Sequence, residues 1–292
     1  MSEPSANPSD PAAVGSATES PAGTEPLYEV RDLAYTYPHT SRTIFSHANL
    51  TVQPGEVVTV LGPNGAGKST FLNCLGNLRK PDSGTIRLCG QDMATMPMRE
   101  VARRVAYVQQ NHTPVFAFKV VDFVTMGRAA HVGRSGRPKE ADRELAREAL
   151  RRMGIEHLAE KPYTDISGGE RQQAVIARAI CQAPKVLLLD EPTSHLDFGN
   201  QLRVLDMVQQ VSAMGFAVIM TTHDPNHAIL LGGTVAVLDR GGTLTCGTTD
   251  EVMTEEFLKG LYRTDLTVAY VEEIEREAVL GNKLKPGRKQ QQ

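Results

Sequence analysis

The sequence predicts an α/β fold with an antiparallel β flank, on three observations. First, the runs Val57–Leu61 (VVTVL), Val186–Leu189 (VLLL) and Ala217–Met220 (AVIM) are short, continuously apolar and bounded by turn or polar residues. Such runs suit strands buried on both faces of a parallel sheet covered by helices. Second, helical spacing appears elsewhere. Ala141, Leu145, Ala149 and Met153 recur on one face of a charged segment, as do Val175, Ile176, Ala179 and Ile180, and then Leu202, Leu205, Val208 and Val211. Third, β-prone segments occur at both ends. Residues 27–36 and 44–52, separated by Pro38 and polar residues, suit an antiparallel pair, and Thr234–Leu238 and Thr243–Gly247 flank a hairpin turn at Asp239-Arg240-Gly241-Gly242.

The chain has 292 residues, of which 40% are hydrophobic, enough for one large or two small domains with a sizeable core. Residues 1–26 are rich in Pro, Ser, Ala and Gly, with acids and no base, and are expected to form a disordered tail. Residues 27–275 are expected to form the folded body, with a mostly helical lobe inserted at about 92–165. Residues 276–292 end in KLKPGRKQQQ and are expected as a polar, basic tail. No internal repeat is visible.

The balance of 31 Lys+Arg against 34 Asp+Glu gives a net charge of −3. That excludes a strongly basic surface over the whole chain, so nucleic acid is not expected as the main partner. No apolar run approaches the roughly 20 residues of a membrane-spanning helix. The first 26 residues lack the basic start and apolar centre of a signal peptide. A cytoplasmic protein is expected, reaching any membrane through a partner or a surface contact. The four cysteines (Cys74, Cys89, Cys181 and Cys246) are far apart with no C-x-x-C, which suits small buried or half-buried thiols.

The strongest local signal is Gly62-Pro63-Asn64-Gly65-Ala66-Gly67-Lys68-Ser69-Thr70, a match to G-x-x-x-x-G-K-[ST] directly after the run Val57–Leu61 and before a helical stretch, Thr70–Leu78. Glycines let successive backbone N–H groups turn inward to cradle phosphate oxygens. The helix that follows adds the positive end of its dipole. Lys68 is expected to reach the β- and γ-phosphates, and Ser69 to take a place on Mg²⁺.

This loop alone means only a nucleoside triphosphate. Asp190-Glu191 narrows the chemistry, since it ends the run VLLL 122 residues after Lys68. An acid at the carboxyl end of a buried parallel strand lies at the mouth of the sheet. Asp190 is a candidate Mg²⁺ ligand and Glu191 a candidate base for the attacking water. The run AVIM leads into Thr221-Thr222-His223-Asp224, so His223 falls on the same edge and is a candidate donor to the γ-phosphate. The other seven histidines carry no signal beyond a structural role.

Ile166-Ser167-Gly168-Gly169-Glu170-Arg171-Gln172-Gln173 resembles the signature of the ATP-binding-cassette (ABC) ATPases. The order along the chain is similar too: phosphate loop, glutamine loop, signature, Asp-Glu, a turn with Asp, then histidine. The resemblance runs from about Leu27 to Val271. It implies a P-loop NTPase fold with a RecA-like core, an antiparallel β flank and a helical subdomain, hydrolysing ATP with Mg²⁺. It also assigns further residues. Tyr37 matches the aromatic that stacks on adenine, against the alternative of a core tyrosine. Gln110 matches the glutamine that contacts Mg²⁺ and water, in preference to the adjacent Gln109. Asp197 matches the acid of the loop that crosses to the other subunit. Ser167, Gly168, Gly169 and Glu170 would close over nucleotide held by the phosphate loop of a second copy, so the resemblance implies a homodimer. Ile166 stands where the family usually has Leu, and Gln173 where it usually has Arg.

The chain carries one cassette and no membrane helix, and the stretch from Lys68 to Ser167, 99 positions further on, holds no heptad run. The resemblance therefore implies a detached ATPase subunit at the cytoplasmic face of the membrane. It would dock on a separate integral membrane permease and serve, indirectly, an extracytoplasmic substrate-binding protein. Two stretches are similar to the branch that imports iron–siderophore complexes, haem and cobalamin. One is Val124-Thr125-Met126-Gly127-Arg128-Ala129-Ala130-His131-Val132-Gly133, with Ala129 and Ala130 where the branch has Tyr and Pro. The other is Asp190–Asp197 followed by Gln201. Val115-Phe116-Ala117-Phe118 is a candidate permease surface or, equally, local core. The alternatives are the ATPase of another metal or small-solute transporter, and a soluble ABC ATPase acting on an intracellular assembly. A GTPase switch would need an N-K-x-D stretch, and there is none.

Overall fold

The computed structural model describes residues 25–38, 42–110, 116–133 and 136–282. The expected N-terminal tail lies almost wholly outside them. The chain opens with β1 (Tyr28–Thr36), β2 (Thr43–Val52), β3 (Val57–Leu61), α1 (Lys68–Leu75), β4 (Ser83–Leu88) and β5 (Gln91–Asp92). It continues through α2 (Met98–Arg104), β6 (Val105–Val108), α3 (Val120–Thr125), α4 (Glu140–Arg152), α5 (Gly168–Cys181) and β7 (Val186–Leu189). Then follow α6 (Phe198–Ala213), β8 (Ala217–Thr222), α7 (Pro225–Leu231), β9 (Thr234–Leu238) and β10 (Leu244–Thr248). The last elements are α8 (Thr249–Val252), α9 (Glu255–Tyr262), β11 (Leu266–Val271) and β12 (Arg276–Gly281).

The apolar runs form the centre of a six-stranded sheet ordered β10-β9-β3-β8-β7-β6. β3 pairs parallel to β8 and β9, and β7 pairs parallel to β8 and β6. Every residue of β3, β7 and β8 is buried, which is why their sequences do not alternate. Alternation survives as a choice between two cores. Leu187, Leu189, Val218 and Met220 face one cluster with α4, α5 and α6. Their neighbours Val186, Leu188, Ala217 and Ile219 face another with α1 and the four-stranded antiparallel sheet β2-β1-β4-β5.

Several expectations shift. Within the span expected as helical, Val105–Val108 is a strand of the main sheet, paired along β7. Four residues of an apolar run cannot by themselves distinguish strand from helix. Residues 276–281, expected in the tail, pair with β11 as β12. Leu145 and Leu202, expected on buried helix faces, are exposed. In α4 the inward face is Ala146, Ala149 and Leu150, continued by Met153, one residue rotated from the predicted stripe. Cys74 and Cys181 are buried as expected, but Cys89 and Cys246 are exposed. Phe116 and Phe118 are exposed rather than core, while Val115 lies outside the described residues.

The Gly127-Arg128…His131 stretch has a local reason. It runs along the end of α5, whose last carbonyls lack helical partners. The Arg128 guanidinium donates to Cys181 O at 3.0 Å, and His131 Nε2 lies 2.8 Å from Gln182 O. Arg128 also pairs with Asp142 at 3.1 Å. The Lys139 backbone N–H, and then Arg128, hold the Asp142 carboxyl below the usual carboxylate range. Gly127 permits this approach, because a Cβ there would sit 2.2 Å from Arg178 O. Gly127→Ala should therefore force α5 and the 126–130 turn apart and cost about 2 kcal/mol or more, read as a lowered urea midpoint with an unchanged m-value.

Candidate functional site

The carboxyl ends of β3, β7 and β8 meet on one edge of the sheet. β3 runs into the phosphate loop, which is tied to its neighbour by Gly62 N–H donating to Thr222 O at 3.3 Å. Gly65 and Gly67 have φ of 78° and 110°, a backbone that side chains resist. Gly67 leads directly into α1, so the loop ends at a helix N-terminus. Lys68 is 4% exposed. Its ammonium donates to Gly62 O at 2.8 Å and Pro63 O at 3.3 Å, and lies 3.1 Å from Glu191 Oε1.

Asp190, at the end of β7, is buried among donors. Ser69 Oγ donates to Asp190 Oδ1 at 2.9 Å, Thr221 Oγ1 donates to the same oxygen at 2.8 Å, and Tyr107 OH reaches Oδ2 at 3.3 Å. Burial, and then the charge of Asp190, push the Tyr107 phenol upward, so it stays protonated as a donor. Glu191 follows with φ 43°, a left-handed backbone that costs a non-glycine residue about 1–3 kcal/mol and is concentrated at functional sites. Its N–H donates to Thr221 Oγ1 at 2.8 Å. With the backbone so turned, its carboxylate meets Lys68, Gln110 Nε2 at 3.4 Å and His223 Nδ1 at 3.3 Å.

Tyr37, Asn64, Gly65, Gly67, Lys68, Ser69, Thr70, Gln110 and Glu191 thus line one cleft of about 450 Å³, together with Arg42 and Ile44. Tyr37 is half-buried rather than core. Its hydroxyl is 2.8 Å from Thr70 Oγ1, Tyr35 meets its ring edge-on, and Arg79 lies over it at 5.1 Å. Gln110 lines the cleft, and Gln109 is not among its lining residues.

The signature residues lie elsewhere. Ser167 caps α5 in a reciprocal box: its Oγ accepts from Glu170 N–H at 3.3 Å, and Glu170 accepts from Ser167 N–H at 2.7 Å. The Ser167 backbone N–H, and then the Ser167 side chain, hold the Glu170 carboxyl low. Ser167, Gly169 and Glu170 line a separate cleft of about 300 Å³ with Asn200 and Arg203 of α6. Asp197 caps α6, accepting from Asn200 N–H at 2.8 Å and from the Asn200 side-chain amide at 2.8 Å.

Two residues escaped sequence reasoning. Thr221 is fully buried and bridges Asp190 to Glu191. The available signal was a polar residue closing an otherwise apolar run. His227 carries its structural reading into the site. It is buried, with Nδ1 3.1 Å from Thr222 Oγ1 and 3.4 Å from Thr193 Oγ1, and burial lowers its pKa so that the ring is neutral. It ties the turn after β7 to the last residue of β8.

Ser69 Oγ and the Gln110 side chain line the cleft, and the Asp190 carboxylate lies behind Ser69; these oxygen donors fit Mg²⁺ held mainly by substrate phosphates. The glycine loop, its lysine and the acids at the neighbouring strand ends define a P-loop nucleoside triphosphatase. The family model for ABC transporter matches residues 45–194. An ABC transporter ATP-binding protein of Haemophilus influenzae is 42% identical over 238 residues, covering 82% of this chain and 90% of its own. A hemin import ATP-binding protein of Gloeobacter violaceus is 40% identical, covering 75% and 81%. A transporter described as metal-chelate type, solved in an inward-facing conformation, superposes with a TM-score of 0.78 at 31% identity, covering 89% of this chain and 98% of its own. The chain belongs to the ABC transporter family, as an ATP-binding, ATP-hydrolysing subunit.

Thr221→Val keeps the volume but leaves the Glu191 N–H and an Asp190 oxygen short of a partner. It should lower stability by about 1–3 kcal/mol and raise the KM for Mg-ATP, read by urea unfolding and steady-state ATPase assays.

Proposed function

We propose that the chain is the peripheral ATPase of an importer, a homodimer on the cytoplasmic face of a membrane. It would energise uptake of an iron–siderophore, haem or cobalamin-type cargo through a separate permease. The carrying observation is that the phosphate-loop cleft and the signature cleft are distinct in one chain. Two copies facing each other would bring the second helix N-terminus, with Ser167, Gly168 and Gly169, over nucleotide seated on the first. Asp197 would sit at the crossing between copies. ATP then favours the closed pair because its contacts exist only there.

Tyr37 would take the adenine face. Backbone N–H groups of the phosphate loop between Asn64 and Thr70, with Lys68, would hold the β- and γ-phosphates. Ser69, Asp190 and Gln110 would hold Mg²⁺, which when bound neutralises charge on the phosphate oxygens. Glu191 accepts the proton of the attacking water, and His223 donates to a γ-phosphate oxygen. Hydrolysis to ADP and phosphate removes the bridging group and lets the pair open.

Exposed Phe116 and Phe118, just beyond Gln110, suit a permease contact. No helix among the described residues is long and apolar enough to cross a membrane, so a separate permease would supply the path. Support for the cargo comes from the hemin import relative, the metal-chelate type transporter and the 124–133 stretch.

Glu191→Gln should lower kcat by about 10²-fold or more, with ATP binding retained and a dimer captured by ATP in size-exclusion chromatography. A variant that turns over normally overturns the assignment of Glu191. Vesicles carrying the chain and its permease should accumulate a ferric siderophore, haem or cobalamin only with ATP. Copurification with a soluble assembly instead of a multi-helix membrane protein defeats the transport reading.

A further inference from the structure

Tyr262, the last residue of α9, belongs to none of the motifs, yet its hydroxyl donates to the backbone carbonyl of His223 at 2.9 Å. His223 stands between the last residue of β8 and Asp224, which caps α7 by accepting from Asn226 N–H at 2.9 Å. Its side chain is 49% exposed and reaches 3.3 Å from Glu191. An imidazole that open gains little orientation from packing. Its direction is set by its backbone, and a held carbonyl fixes the peptide plane that follows His223.

The C-terminal segment also grips the loop a second time. The Asn226 side chain accepts from Val279 N–H at 2.9 Å and donates to Val279 O at 3.2 Å, acting as a strand edge for β12. The Tyr262 ring packs on a cluster containing Leu258, Leu266 and Val235. Burial, and then the charge of Asp224, push the phenol upward, which keeps it a donor. Thus α9 and the β11–β12 hairpin hold the turn that carries His223 at two places, one on each side of Asp224.

We propose that Tyr262 is a positioning residue for ATP hydrolysis, and that the segment Glu255–Gly281 braces the His223 turn against the cleft. The inference rests on the reading of His223 as the donor to the γ-phosphate. Tyr262→Phe keeps the ring in its cluster and deletes only the hydroxyl. It should lower kcat about 5-fold, as loss of one hydrogen bond does, with the KM for ATP within about 2-fold and an unchanged melting temperature.

The same substitution in a His223→Ala background, read by single-turnover hydrolysis at excess enzyme, should cost nothing further, because the two residues act as a unit. Wild-type kcat in Tyr262→Phe overturns the proposal. So does an equal loss with and without His223, which would mean a general structural role. Wild-type kcat in His223→Ala alone overturns the reading of His223, and the brace with it.

Discussion

The parallel register of β3, β7 and β8 is the constraint on which the site depends. Leu61 pairs with Thr222, and Leu189 pairs with Met220. That stagger ends three strands at one edge and sets Thr221 beside Asp190. Because all three strands are buried on both faces, a slip of one residue would exchange the side chains of two cores at once. The register is therefore held by the whole interior, and the side chains at the strand ends inherit its precision.

On this edge, buried charge is compensated locally. Lys68 has two loop carbonyls and Glu191; Asp190 has two hydroxyls and a phenol. Ions withdrawn from water remain tolerable only when so surrounded. The same arrangement leaves oxygen donors and one ammonium facing the space where phosphates would lie. The positive φ of Glu191 belongs to the same arrangement: local strain is accepted where it turns a carboxylate toward Lys68 and His223.

Much of this was legible in the sequence because it was local. The glycine loop, the Asp-Glu pair and the strand-end histidine are short patterns attached to apolar runs, and β3 and β7 have the predicted bounds. Helix phase was less legible. Exposed Leu145 and buried Ala146 differ by one position, and only the neighbours α3 and α5 decide which faces inward. The strand Val105–Val108 was hidden for the same reason, since its partner β7 lies about 80 residues away. The Gly127–His131 stretch stood out only by resemblance, and its capping of α5 was invisible because Cys181 and Gln182 are some 50 residues distant.

By itself the sequence determined the chemistry: which side chains are present, at which strand ends, and the class of triphosphatase they compose. Only the tertiary structure decided that Thr221 joins Asp190 to Glu191, that His227 links Thr193 to the end of β8, that Tyr262 reaches the His223 carbonyl, and that signature and phosphate loop stand apart. Local patterns record what a segment needs of its own backbone. Contacts between segments depend on packing and register, which no single stretch encodes.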